Sequence, residues 1–288
     1  LDDTFCRELI VLKLRGTEVV YPKVAFTLKG GFQVFPPLTV ENIREPVRRY
    51  RVIPHLEEKF STGIYDLDQI LGSMFRKGGY NLLEIEKDVA FPMERLIRPI
   101  VCNFINQGYG VIMLPPQGLS AQTIKRSLFP FVEERALQEN LKIVDFKVEG
   151  ERRRLVESYV ILLKGESIED DMNLLWDNIS NLGEKTGKPV FSIMGFDTVE
   201  YAYGKEEVLK VLGEDVARTR NLEDLRLNII RPTVDIADQL RALADIHLKV
   251  EQICGALFLH GVKPRTPLLN ISMSISKDYS EIRLTPIV

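Results

Sequence analysis

The stretch Phe60-Ser61-Thr62-Gly63-Ile64-Tyr65-Asp66-Leu67-Asp68-Gln69-Ile70-Leu71-Gly72 decides how the chain is read, because everything after it alternates strand and helix. Residues 80–85 follow Gly78-Gly79 and read as a strand. Residues 92–107 read as a helix that stops at Gly108, with Pro99 placed to kink it. Residues 109–114 form a buried-type strand, and Ser120 caps the helix that follows. Residues 142–148 and 158–163 are strands. Ser167 opens a long helix, because Met172, Leu175, Trp176, Ile179 and Leu182 recur at helical spacing. Residues 189–194, 225–230 and 245–250 are further strands. This alternation predicts an α/β fold, with a mostly parallel sheet flanked by helices on both faces. Residues 255–288 turn to strands alone, which predicts terminal antiparallel β-hairpins at one edge.

Upstream, residues 4–36 also read as strands. The Gly30-Gly31 pair between Val24-Ala25-Phe26-Thr27-Leu28 and Phe32-Gln33-Val34-Phe35 is a hairpin signal. Pro36-Pro37 closes that unit. Residues 38–58 are charged, contain Pro46 and Pro54, and read as a linker. The expected organisation is a β unit over 1–37, a linker over 38–58 and an α/β domain over 59–288. The strings Lys13-Leu14-Arg15 and Lys263-Pro264-Arg265 lie about one domain length apart. Each follows an apolar run that begins after a cysteine, Cys6 or Cys254. The repeat predicts that residues 1–37 are the closing unit of a preceding domain, the alternative being chance between two K-x-R strings. Leu9, Ile10, Val11, Leu12, Val24, Phe26, Phe32 and Phe35 are too apolar for a free tail. A homo-oligomer, another protein partner, or a dock of this unit onto the chain's own sheet edge is expected.

Composition narrows the function classes. The 288 residues are 45% hydrophobic and 27% charged, which suits a soluble globular protein. The formal charge of −3 creates no field for nucleic acid or an anionic membrane, so neither is an expected partner. Cys6, Cys102 and Cys254 are spread singly, with no metal-binding or disulfide spacing, which suits a reduced cytoplasmic setting. No apolar stretch reaches membrane-spanning length. The acidic start, with no initiator Met, suggests a fragment or processed chain rather than a signal peptide.

The opening stretch resembles the signature of KaiC-like domains of the RecA superfamily, roughly S-T-G-I-x-x-L-D-x-x-L-G-G, with Ser73 in place of the last glycine. The resemblance covers residues 59–288. It implies an ATPase core that works in rings or filaments, with a G-x-x-x-x-G-K-[ST] loop after the strand 81–85. The sequence departs from that pattern. Glu86-Lys87-Asp88-Val89-Ala90-Phe91-Pro92-Met93 contains no glycine, and Pro92 and Met93 fall where the lysine and hydroxyl belong. Glu86, Asp88 and Glu94 put negative charge where phosphate would sit. Arg95, Arg98 and Lys87 are the cations left to meet an anion. After the next strand, Pro115-Pro116-Gln117-Gly118-Leu119-Ser120 supplies no carboxylate as general base and reads as a turn before a helix cap.

Asp197 ends an apolar strand and matches the family's Mg²⁺-placing aspartate, or else caps residues 199–203. The resemblance also implies that Lys13, Arg15, Lys263 and Arg265 are interface cations, which in such rings reach the neighbour's nucleotide. No catalytic residue and no metal site are assigned. No cofactor is expected, with ATP and Mg²⁺ as the alternative. His55, His247 and His260 are isolated and read as packing residues. The clusters Arg48-Arg49-Tyr50-Arg51 and Arg152-Arg153-Arg154 read as solvated, and Trp176 as core.

The reading is therefore a non-catalytic RecA/KaiC-like module that acts in protein association or regulation. Alternatives are a regulatory ATPase with its active site in an upstream domain, and a DNA-associated recombinase paralogue. The string Val262-Lys263-Pro264-Arg265-Thr266-Pro267-Leu268 also resembles the archaeal gas-vesicle regulatory protein D family.

Overall fold

A computed structural model describes residues 6–38, 50–71, 75–147, 157–275 and 280–287. Three short strands, β1 (Arg7–Ile10), β2 (Lys23–Thr27) and β3 (Gln33–Phe35), form an antiparallel sheet of their own, with Gly30 and Gly31 in the turn from β2 to β3. β4 (Lys59–Phe60) and β5 (Phe75–Arg76) pair on either side of α1 (Tyr65–Ile70). The main body then runs β6 (Tyr80–Ile85), α2 (Met93–Asn106), β7 (Val111–Leu114), α3 (Ala121–Leu128), α4 (Glu134–Asn140) and β8 (Leu141–Phe146). It continues with β9 (Val160–Leu163), α5 (Ile168–Thr186), β10 (Phe191–Gly195), α6 (Phe196–Tyr203), α7 (Lys205–Asn221) and β11 (Leu225–Ile230). It closes with α8 (Ala237–Leu243), β12 (His247–Ile253), β13 (Ala256–Lys263), β14 (Leu269–Ile275) and β15 (Ser280–Pro286).

One sheet collects ten strands in the order β15-β14-β13-β12-β6-β11-β10-β7-β8-β9. From β12 to β9 every neighbouring pair is parallel, and from β12 to β15 every pair is antiparallel. The fold class read from the alternation is therefore the one found. All six residues of β6 are buried, as a parallel strand covered on both faces requires. Leu83 and Ile85 face a core shared with Ile97, Val101 and Phe104 of α2 and Ile124 of α3. Tyr80 and Leu82 face the opposite core, with Trp176 and Ile179 of α5, Val211 and Leu212 of α7 and Leu240 of α8.

The signature stretch works as a structural clamp. Asp68 of α1 accepts hydrogen bonds from Ser61 Oγ (2.5 Å), Thr62 N–H (2.8 Å) and Thr62 Oγ1 (2.7 Å). Gly63 has φ +71°, and a Cβ there would lie 2.5 Å from the Pro99 carbonyl oxygen. Only glycine lets the turn approach α2 so closely. Tyr50 Oη donates to the carbonyls of Gly63 (3.1 Å) and Pro99 (2.7 Å), which fastens the chain entering the domain. The described end of the expected linker is thus bonded to the domain: Ile53 N–H also donates to Asn103 Oδ1 at 2.9 Å. Pro46, Arg48 and Arg49 lie outside the described residues, as do Ser73 and Arg152-Arg153-Arg154.

The N-terminal sheet rests on this same chain. Ala25 and Phe35 join Ala256, Phe258, Leu268 and Ile287 in a third buried cluster, with the Phe35 and Phe258 rings edge-to-face at 6.2 Å. Within the residues 4–36 expected as strands, the first strand covers only Arg7–Ile10, and Leu12 beyond it is 92% exposed.

Candidate functional site

In an open α/β sheet the crevice for a ligand lies beyond the carboxyl ends of the strands, where the chain reverses its direction of travel. Here that place is β6. The chain leaves β6 toward β7 on one side and returns from β11 to β12 on the other. The candidate site is therefore the β6–α2 loop, with the β7–α3 and β10–α6 corners beside it.

Residues 86–92 build the first wall. Glu86 N–H donates to the Val250 carbonyl (2.9 Å), Val89 N–H to the Glu86 carbonyl (3.1 Å) and Ala90 N–H to Gln252 Oε1 (3.2 Å). Amides that a phosphate cradle would aim outward are thus engaged by protein acceptors. Val89 and Met93 are 5% and 7% exposed and fill the core below the loop. Pro92 is the N-cap of α2 and makes no side-chain cap hydrogen bond, while Glu94 stands in the first turn. The Glu86 carboxylate pairs with Lys249 Nζ at 2.7 Å.

Arg98 of α2 is directed to the Phe131 ring rather than to this loop. Arg98 is 7% exposed, and its guanidinium lies 4.5 Å over the Phe131 ring beyond α3. Burial lowers its pKa from the usual arginine value. Arg95 is half-buried and has partners within the protein.

The second wall joins β7 to β10. Asp197 lies in the first turn of α6, whose N-cap is Gly195, so it does not cap residues 199–203. Its Oδ2 accepts Gln117 N–H (3.2 Å) and its Oδ1 accepts Thr198 N–H (2.9 Å). Gln117 Nε2 donates to the Asp197 carbonyl (3.2 Å), and Thr198 Oγ1 to the Pro115 carbonyl (2.8 Å). Burial raises the Asp197 carboxyl above its usual range, and the two amides partly counter it. A Cβ on Gly195 would sit 2.4 Å from Pro116 Cα, so the corners touch backbone to backbone. Asp197 ties two loops together. Among the described residues no cluster of three or more His, Cys, Asp or Glu could hold a metal ion.

No protein-family model matches the chain. It is similar to Protein GvpD2 of Halobacterium salinarum (strain ATCC 700922 / JCM 11081 / NRC-1), 25% identical over 293 residues that cover 98% of this chain and 58% of the relative. It is also similar to Protein GvpD1 of the same organism, 22% identical over 338 residues, 98% of this chain and 62% of the relative. The chain thus spans about three fifths of the length of these curated relatives. The similarity supports the resemblance to the gas-vesicle regulatory protein D family.

The paired Lys-x-Arg strings come to different places. Lys13 and Arg15 are exposed between β1 and β2. Lys263 ends β13, and its Nζ donates at 2.6 Å to the Ala244 carbonyl, the C-cap of α8. A cation there answers the negative end of the helix. Arg265 is exposed in the turn after β13.

The sequence reading missed two buried charge networks. Asp215 of α7 accepts Arg226 Nη2 (2.5 Å), Trp176 Nε1–H (3.1 Å) and Tyr80 Oη–H (3.2 Å), and the side chains of Asp215 and Arg226 are each 2% exposed. Glu84 of β6 is held by Arg241 Nη2 (2.6 Å), Arg241 Nε (3.0 Å) and His247 Nε2 (3.0 Å). Burial alone would raise Glu84, but the His247 and Arg241 hydrogen bonds outweigh it and hold the carboxyl at about 2. Glu84 and Arg226 each interrupt an apolar strand, and that interruption was the available signal. His247 is thus a partner of Glu84, while His55 packs among Phe60, Phe104 and Tyr109 as expected.

Proposed function

We propose that this chain is a RecA/KaiC-like regulatory module that works by association with protein, a second copy included, and does not turn over ATP. The β6–α2 loop carries the reading. It has no glycine, its amides at Glu86, Val89 and Ala90 are engaged, and Val89 and Met93 occupy the space beneath it. Glu86, Asp88 and Glu94 add negative charge where a phosphate would need the opposite. The strand order around β6 and the Asp68 clamp support the KaiC-like part. Similarity to the GvpD proteins supports the regulatory part. The cofactor-site remnants Arg95, Arg98 and Asp197 serve structure in this reading, and the exposed Lys13 and Arg15 are offered to an interface.

A second reading, a regulatory ATPase whose active site lies in other sequence, has two observations behind it. The GvpD relatives extend well beyond the matched span, and Lys13 and Arg15 are exposed.

The test measures two quantities on the purified chain. Phosphate release from Mg–ATP should stay at the no-protein background. Light scattering should show a mass above the monomer, or the monomer should gain mass with a protein partner. Turnover lost on substitution in residues 86–92 would contradict the proposal, and so would a chain that stays monomeric and finds no partner.

A further inference from the structure

Sequence spacing gives the cysteines no pairing, but the fold brings Cys254 to Glu8, two residues from Cys6. Cys6 directly precedes β1, and Cys254 sits with Gly255 in the turn from β12 to β13. Cys254 adopts the left-handed conformation, φ 52°, that such a turn demands. Its Sγ donates to Glu8 Oε1 at 3.4 Å. Cys6 stands two residues before Glu8, and the Cys254 thiol lies close enough to act electrostatically on Cys6. Cys6 and Ile253 pack against the cluster of Phe35, Ala256 and Phe258. The far end of the N-terminal unit grips the same turn: Leu38 N–H donates to the Gly255 carbonyl at 3.4 Å. Both thiols are partly exposed, whereas Cys102 is wholly buried.

We propose that Cys6 and Cys254 form an oxidisable dithiol that hydrogen peroxide converts to a disulfide, fastening the N-terminal sheet to the β12–β13 turn. Cys254, in the surface turn, meets the oxidant. Its thiolate attacks one peroxide oxygen, the O–O bond breaks, and with one proton the products are a sulfenic acid and water. The Cys6 thiolate then attacks the sulfenic sulfur, and the departing hydroxide takes up a proton as water. Two thiols and one peroxide become one disulfide and two waters. The sulfur pair loses two electrons and the peroxide gains them.

The groups facing the pair set its pace. Burial first, then the Cys254 thiol, Glu8 and Glu251, push Cys6 up to about 11, with Lys23 opposing. Burial and Glu8 also raise Cys254. The dithiol is therefore mostly protonated at neutral pH, and oxidation quickens as pH rises.

The test treats the full chain with hydrogen peroxide in mildly alkaline buffer, alkylates remaining thiols after unfolding, and maps unreduced peptides by mass spectrometry. The expected result is a peptide pair joined through Cys6 and Cys254, with Cys102 alkylated. Amide exchange across β1–β3 should slow on oxidation. Cys6→Ser and Cys254→Ser should each abolish the linked pair, and the mapping of the unsubstituted chain stands without them. Full alkylation of both thiols at every dose, sulfinic Cys254 beside intact Cys6, or a disulfide joining two chains would overturn the proposal.

Discussion

Replacing Arg226 with methionine tests how the α5–α7 face of the sheet is held. Methionine keeps most of the volume and removes the cation bonded to Asp215 at 2.5 Å. The Asp215 carboxylate then keeps two neutral donors, Trp176 Nε1–H and Tyr80 Oη–H, in a place where it is 2% exposed. Breaking one side of a buried pair costs about 3–5 kcal/mol, because the remaining charge stays desolvated. In a chain of this size each kcal/mol moves the melting temperature by roughly 2–4 °C, so a fall on the order of 10 °C is expected. The companion is Asp215→Asn in the Arg226→Met background. It removes the stranded charge and should recover stability relative to Arg226→Met, with a coupling energy of about 1–3 kcal/mol. Urea unfolding of the unsubstituted chain, Arg226→Met, Asp215→Asn and the double variant measures it. A loss below about 1 kcal/mol for Arg226→Met, or a double variant less stable than Arg226→Met, would refute the reasoning.

Other expectations follow from the same geometry. Phe35→Ala should cost about 3–5 kcal/mol, read by thermal melting, because it uncovers Phe258 beneath the N-terminal sheet. Gly195→Ala should cost about 1–3 kcal/mol or more, since its Cβ would meet Pro116 backbone at 2.4 Å. Burial, then Lys188, depresses His55 from 6.5 to about 4. The stability it gives is present above pH 6.5 and lost as pH falls through 4, and His55→Gln should flatten urea-unfolding stability across that window. Glu84, held at about 2 against 4.5, gives roughly 3 kcal/mol that is present above pH 4.5 and lost toward pH 2.

The sheet was legible because its strands obey simple patterns. Residues 80–85 and 189–194 are short, apolar and bounded by turns, and Ser120 and Ser167 cap their helices as read, each accepting an amide. The Gly30-Gly31 hairpin was legible for the same reason. What escaped reading depends on contacts between distant positions. Nothing local says that Cys6 will meet the turn at Cys254, or that Phe35 will sit on Phe258. Charged residues at strand positions, Glu84 and Arg226, carry no period, and their partners Arg241, His247 and Asp215 come from other elements. Asp197 was read as a remnant because its place in the sequence is the family's. Its distant partner, the Gln117 amide, appears only when β7 and β10 lie side by side.

Calorimetric titration of the chain with Mg–ATP tests the central claim most directly. The account predicts no saturable heat, and no rise in melting temperature at millimolar nucleotide, because the β6–α2 loop has its Glu86, Val89 and Ala90 amides engaged and its floor filled by Val89 and Met93. A site with a dissociation constant on the order of 1–10 μM would instead add about 2.7 kcal/mol at a hundredfold excess over that constant. Saturable binding in that range, lost in Lys87→Ala or Arg95→Ala, would contradict the account.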